Sequence, residues 1–185
     1  MTLAAITERP AAIHEGHSGK NVADAYVTAL RMLARRELSE AQVRTRLARK
    51  AFEAGVIDEA VSRLQAVRAL DDHRTALACA RTEAHVKRHG QRRALRTIEA
   101  LGIERGLAKA AVAEVFGEVD EDALIAQALD RKLRPGSRMD PGLPGGRGAA
   151  SVARRLYRYL VTQGFDAGRA HAAVRSRIKN ALHDE

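Results

Sequence analysis

Three stretches of this chain place small and apolar residues at matching intervals, and that repetition limits the fold more than any other feature. Lys50-Ala51-Phe52, Leu101-Gly102-Ile103 and Gln163-Gly164-Phe165 align on their small middle residue. Four residues before it stand Leu47, Ile98 and Leu160, and four earlier again Val43, Ala94 and Leu156. A large apolar residue follows it each time, and nine positions later come Val61, Val112 and Val174. The i, i+4 spacing is that of one helix face. A small residue at the end of that helix permits the left-handed turn from which the next apolar residue folds back. The pattern predicts three copies of helix–helix–turn–helix at a period of about 51 residues, within the range of tandem helical repeats. Three short helices bury little surface alone, so neighbouring units are expected to stack.

Composition supports helices throughout. Alanine fills roughly a fifth of the chain, tryptophan is absent and aromatics are 3%, which disfavours a β-sandwich or barrel and favours residues that lose least on entering a helix. Each unit has its own preceding helix, predicted over 22–36, 72–89 and 121–134. Stripes of Tyr26, Leu30 and Leu33, and of Ile57, Val61 and Leu64, mark core faces. Ser39-Glu-Ala-Gln42 reads as a capping box, and Asp71-Asp72 and Asp120-Glu-Asp122 stand where carboxylates complement helix N-termini. Two stretches break the pattern. Residues 1–20 contain Pro10, Gly16 and Gly19 without any sustained period and are expected to form a disordered tail. Residues 134–148 hold three of the four prolines and are expected to be a flexible loop. The resulting organisation is a tail over 1–20, units over 21–71 and 72–120, and a third over 121–185 that contains the loop.

In their order and spacing, several of these segments resemble the RecX family of recombination regulators. They are Ala29-Leu30-Arg-Met-Leu33-Ala-Arg-Arg with Leu38-Ser-Glu40, Leu70-Asp71-Asp72-His-Arg-Thr-Ala76, Gly90 through Ile103, and Leu156 through Phe165. The resemblance covers roughly residues 24–180. It departs at Ala51, where the family usually has glycine, at Thr75, where an aromatic is usual, and in the longer loop 134–148. The resemblance implies a non-enzymatic modulator of RecA, built from tandem three-helix units. Such proteins bind in the helical groove of the RecA–DNA filament and generally restrain its ATPase and strand exchange, with consequences for homologous recombination, DNA repair and the SOS response.

Charge is segregated along the chain. The net charge is +9, with 32 Lys and Arg against 23 Asp and Glu, so a polyanionic partner is expected. Seven Arg or Lys and two acids lie between Arg31 and Lys50, whereas 110–130 holds six acids and no Arg or Lys. The repeat alignment sharpens this polarity. Arg92, Arg93 and Arg96 occupy the same places before Gly102 as Arg154, Arg155 and Arg158 before Gly164. The first and last of each triad share a helix face. Unit one carries its charge instead at Arg44, Arg46, Arg49 and Lys50. These ten residues are the candidate contacts to DNA phosphates or to acidic filament surface, since guanidinium groups suit both oxyanions; solvated helix faces are the alternative. Tyr157 and Tyr159 flank Arg158, and packing is the expected use of Tyr159.

Catalytic chemistry is not expected, nor is any cofactor or metal. Cys79 is a single cysteine in an apolar run and is read as a buried, inert thiol. His85 and His89 share a helix face but lack a third ligand, and Lys87 and Arg88 oppose a cation. No glycine-rich loop carries the lysine and hydroxyl residue of a phosphate-binding loop. No run reaches the ~18–20 apolar residues of a membrane span, and the first ten residues lack a secretory core, so a cytoplasmic protein is expected. A repeat array needs no second copy to close its core, and a monomer is expected. The resemblance implies a RecA filament as partner, and the basic faces suit single-stranded and also double-stranded DNA. A helix-turn-helix DNA binder or transcription factor, or an α-repeat adaptor whose charge only keeps it soluble, remain alternatives.

Overall fold

The computed structural model describes residues 21–133 and 149–181. The expected tail 1–20 and Pro/Gly loop 134–148 lie outside the described residues. Among those described, every regular element is helical. Unit one comprises α1 (Val22–Leu33), α2 (Glu40–Arg49) and α3 (Ala54–Ala66). Unit two has α4 (Asp72–Arg81), which widens into a π-helical turn over Thr82–Val86, then α5 (Gln91–Glu99) and α6 (Arg105–Gly117). Unit three has α7 (Glu121–Lys132), α8 (Ala149–Thr162) and α9 (Ala167–Ala181).

The aligned positions form the three cores. Val43, Leu47, Phe52 and Val61 are buried in the first, Ala94, Ile98, Ile103 and Val112 in the second, and Leu156, Leu160, Phe165 and Val174 in the third. Caps set the helix starts. Ser39 Oγ accepts from Gln42 N while the Gln42 side chain accepts from Ser39 N, completing the capping box. Asp71 accepts from Arg74 N at the start of α4, and Asp120 accepts from Ala123 N at the start of α7. Glu104 and Asp166, at equivalent repeat positions, cap α6 and α9 by accepting from Gly106, Leu107, Gly168 and Arg169 N–H groups.

The first helix of each unit is shorter than its periodicity predicts. In unit one the helix is expected to reach Arg36, but the chain turns away after Leu33 and Arg35 N donates to Met32 O. In unit two a buried carboxylate reshapes the helix end. Glu83, 1% exposed, accepts from Lys87 Nζ at 2.5 Å and pairs with His89 Nδ1 at 2.7 Å. Lys87 N donates to Thr82 O and His89 N to Glu83 O, wider closures than an α-helix makes. Arg88 then takes φ 56° and the chain reaches Gly90, the N-cap of α5. Burial alone would lift the Glu83 carboxyl, but the hydrogen bonds from Lys87 and His89 outweigh it and hold the group below its usual value.

The three turns between the second and third helices of the units are all left-handed. Ala51, Gly102 and Gly164 have φ of 58°, 81° and 91°. Only the last two are also packed against the preceding unit. A Cβ on Gly102 would lie 2.5 Å from Ala41 Cβ, and one on Gly164 would lie 2.3 Å from Arg93 N. Ala51 is exposed. An alanine is therefore tolerated in the first turn at the cost of the left-handed backbone alone, about 1–2 kcal/mol.

Candidate anion-binding surface

The turn of each later unit docks on the start of the second helix of the unit before it. At the first joint Ser39 Oγ donates to Leu101 O at 2.5 Å, and Glu40 N donates across the joint to Asp72 Oδ1 at 2.8 Å. Arg74 forks onto Glu37 and donates to the carbonyls of Arg68 and Ala69. Thr75 is buried and donates to Asp71 O. At the second joint Gly90 N donates to Gln163 O at 3.0 Å and Arg92 N to Gly164 O at 3.1 Å.

This arrangement separates the candidate arginines. Arg92 pairs with Asp166 at 3.2 Å, and Arg93 Nη1 donates to Gln163 Oε1 at 3.0 Å, so both side chains clasp the turn of unit three. Arg96 is exposed one helical turn further along α5. The triad on α8 holds no turn of another unit among the described residues. Arg154 and Arg158 are exposed and Arg155 is half-buried, and none of them meets an acid among the described residues. Arg154 also rims an apolar groove of about 360 Å³ between α8 and α9, together with Tyr157, His171, Val174, Arg175 and Ile178. Tyr157 stands edge-on to His171 at 6.3 Å and Tyr159 lies beneath Lys132 Nζ at 4.7 Å. Both tyrosines are half-buried against the third core.

The basic residues of α2 divide in the same way. Arg44 is held by Asp58 and by Glu40, the latter at 2.7 Å, and those hydrogen bonds raise its pKa. Arg49 and Lys50 are exposed at the helix end. Arg46 is half-buried and its Nη1 has no hydrogen-bond partner. Burial, then the like charges of Arg36 and Arg49, lower its pKa. Arg36 escaped the sequence-based selection because it lies outside α2; only the α1–α2 connection brings it to Arg46. Cys79 is half-buried rather than enclosed, and burial followed by the Glu83 charge raises its thiol pKa. His89 is engaged with Glu83. No cluster of three or more His, Cys, Asp or Glu suited to a metal occurs among the described residues, and no helix there is long and apolar enough to cross a membrane.

Residues 25–64 match the family model described as RecX, first three-helix domain. A regulatory protein RecX of Pelodictyon phaeoclathratiforme is 24% identical over 165 residues, which span 89% of this chain and 96% of that protein. The chain is similar to RecX proteins over most of its length. Another regulatory protein RecX, from Geobacillus kaustophilus, is 31% identical over 144 residues, 78% of this chain but 50% of that protein, so the match spans about half the length of that relative. The fold agrees: the crystal structure of RecX from Lactobacillus salivarius superposes with a TM-score of 0.70 at 14% identity, over 84% of this chain and 95% of that one. The likeness to RecX proteins thus spans all three helical units.

Proposed function

We propose that this chain is a RecX-type, non-enzymatic regulator that binds the RecA–DNA filament and restrains ATP hydrolysis and strand exchange. The observation that carries the reading is the match to proteins named regulatory protein RecX along most of the chain. The charge geometry supports it. Arg96, Arg154 and Arg158 are exposed without an acid among the described residues, so they are available to phosphates or to acidic protein surface. Arg92 and Arg93 serve first to hold unit three, and their contribution to binding is indirect. In mechanism, the array wedges into the filament groove, bridges RecA protomers and hinders the rearrangements that accompany ATP turnover.

The test is single-stranded-DNA-dependent ATP hydrolysis by RecA, titrated from well below one copy of this protein per protomer. Inhibition at substoichiometric ratios that persists with DNA in excess is expected. Inhibition only when the protein suffices to coat the DNA would replace filament binding with simple competition for phosphates. Charge reversal at Arg96 and Arg158 is expected to weaken inhibition and flatten its salt dependence without unfolding the chain.

A further inference from the structure

The residues that line the groove between α8 and α9 differ in kind from those at the equivalent places in the other units. In unit one the places of Ala153, Tyr157, His171 and Ile178 are taken by Glu40, Arg44, Asp58 and Gln65. There Glu40 accepts from Arg44 Nε at 2.7 Å and from Gln65 Nε2 at 2.8 Å, and Arg44 continues to Asp58, so a polar bridge spans α2 and α3. In unit two the places of Tyr157 and Ile178 are taken by Leu95 and Phe116, which pack into the second core with Phe116 buried. Unit three has an alanine where unit one has its carboxylate, and a groove of about 360 Å³ stays open. An opening that one unit bridges and another fills is not imposed by the fold.

We infer that this groove receives an acidic amphipathic helix of a protein partner. Its walls repeat at helical spacing. Ala150, Ala153 and Tyr157 lie along α8, and His171, Val174 and Ile178 along α9, each set covering two turns or about 10 Å of helix. Apolar side chains one turn apart on a third helix match that repeat, and the two alanines let its backbone come close. The rim sets the charge. Arg154 and Arg175 border the apolar floor, both exposed, and neither meets an acid among the described residues. Unit one carries its own carboxylate at Glu40; in unit three that charge is left for the occupant to supply. A nucleic-acid strand fits less well. The side chains of Ala150, Ala153, Val174 and Ile178 have no donor for a phosphate, and the Tyr157 ring is engaged edge-on by His171 rather than laid open to a base. The identity of the partner as RecA rests on the function proposed above; the chemistry of the groove does not.

The experiment fills the groove as unit two does. Tyr157→Leu with Ile178→Phe places the unit-two pair in unit three without changing the charge. Arg175→Glu reverses one rim charge at an exposed position and keeps the test open if the filled variant folds poorly. The Val174 and Ile178 methyl resonances of the full wild-type chain are followed by NMR during three titrations. The probes are a peptide of leucine and glutamate arranged at helical spacing, the same peptide with lysine for glutamate, and a dT hexamer. Saturable shifts with the glutamate peptide, and little with the other two, are the expected result. An equal response to the lysine peptide, a response to the oligonucleotide alone, or no response to any of them overturns the inference whether or not RecA is the partner. In parallel, each variant is expected to weaken binding to RecA filaments by about tenfold or more. The filled variant should keep the wild-type affinity for protein-free single-stranded DNA and its salt slope. A parallel loss of DNA affinity assigns the groove to nucleic acid and overturns the proposal, as does unchanged filament binding by a folded filled variant. Failure of the wild type itself to bind filaments counts against the proposed function alone, and the peptide titrations still decide the groove.

Discussion

The two joints reach the same repeat carbonyl by different chemistry. Leu101 O and Gln163 O are equivalent, and so are Ser39 and Gly90, which donate to them. Ser39 uses its hydroxyl, while Gly90 has no side chain and uses its backbone N–H. The second joint is therefore closer. A Cβ on Gly90 would lie 2.4 Å from the Gly164 carbonyl carbon, whereas at the first joint the opposed atom is a side-chain methyl, Ala41 Cβ. At the first joint the turn meets a methyl fixed directly to the backbone of α2; at the second, backbone meets backbone. Glycine in such an array is thus required by the neighbouring unit as well as by the turn, and Ala51 is the turn that docks on none of the described units.

Gly164→Ala breaks the tighter joint and is expected to cost most, about 3–4 kcal/mol from left-handed strain plus overlap with backbone. Gly102→Ala, which adds overlap with one methyl to the left-handed strain, should cost less, about 2–3 kcal/mol. Denaturant unfolding measures both, and a Gly102 variant as damaged as the Gly164 variant would contradict the distinction. Glu83→Gln loosens the π turn that delivers Gly90, with an expected loss of about 2 kcal/mol at neutral pH. Because the Glu83 carboxyl titrates below its unfolded value, its stabilisation is complete above that value and fades as pH falls through the folded one. The variant should therefore flatten the acid limb of the stability profile, and an unaltered limb would remove Glu83 from the account.

Ser39→Ala removes a cap and the hydroxyl of the first joint together, for about 1–2 kcal/mol. Hydrogen exchange should then rise in the α5–α6 turn as well as in α2; a change confined to α2 would mean that the inter-unit bond carries little. Ala51→Gly is expected to stabilise by about 0.5–1 kcal/mol, since relief of the left-handed strain is partly offset by glycine's entropy in the unfolded chain. The smallest effect belongs to the adjacent aspartates. The N–H of Arg74 holds the Asp71 carboxyl below its ordinary value, while burial raises that of Asp72, with the Glu40 and Asp71 charges adding to the rise. Support from Asp71 is lost as pH falls through its folded pKa. Asp72 acts in the opposite sense, favouring the fold at low pH and ceasing to as pH rises through its own. Carboxyl NMR titration should resolve the two on either side of the ordinary value. Asp72→Asn, which still accepts from Glu40 N, should change neutral-pH stability by less than about 0.5 kcal/mol.

The core columns and caps were legible because they depend on residues three to nine positions apart, a range that helical periodicity covers. The capping box at Ser39 and the left-handed turn at Ala51 are both visible in the chain. Contacts between units were not. Arg92 and Arg154 are equivalent in the repeat, yet one is tied to Asp166, 74 residues away, and the other is exposed. That difference is set by whether the turn of another described unit docks on the helix, which no local pattern records. The approach of Arg36 to Arg46 was hidden for the same reason, since an irregular connection lies between them. The Glu83 cluster was missed because its participants lie on one short segment whose α-periodicity is broken by the very contacts they make.

The widened turn in α4 also bears on how such arrays tolerate changes in length. From N-cap to N-cap, Asn21 to Ser39 is a step of eighteen residues, while Asp71 to Gly90 is a step of nineteen. A π turn takes up more chain per revolution than an α turn. The surplus residue is therefore absorbed inside the helix, and Gly90 still arrives opposite Gln163. A tandem protein need not expel every insertion into a loop: it can coil one away within an element and keep the pitch of its stacking intact.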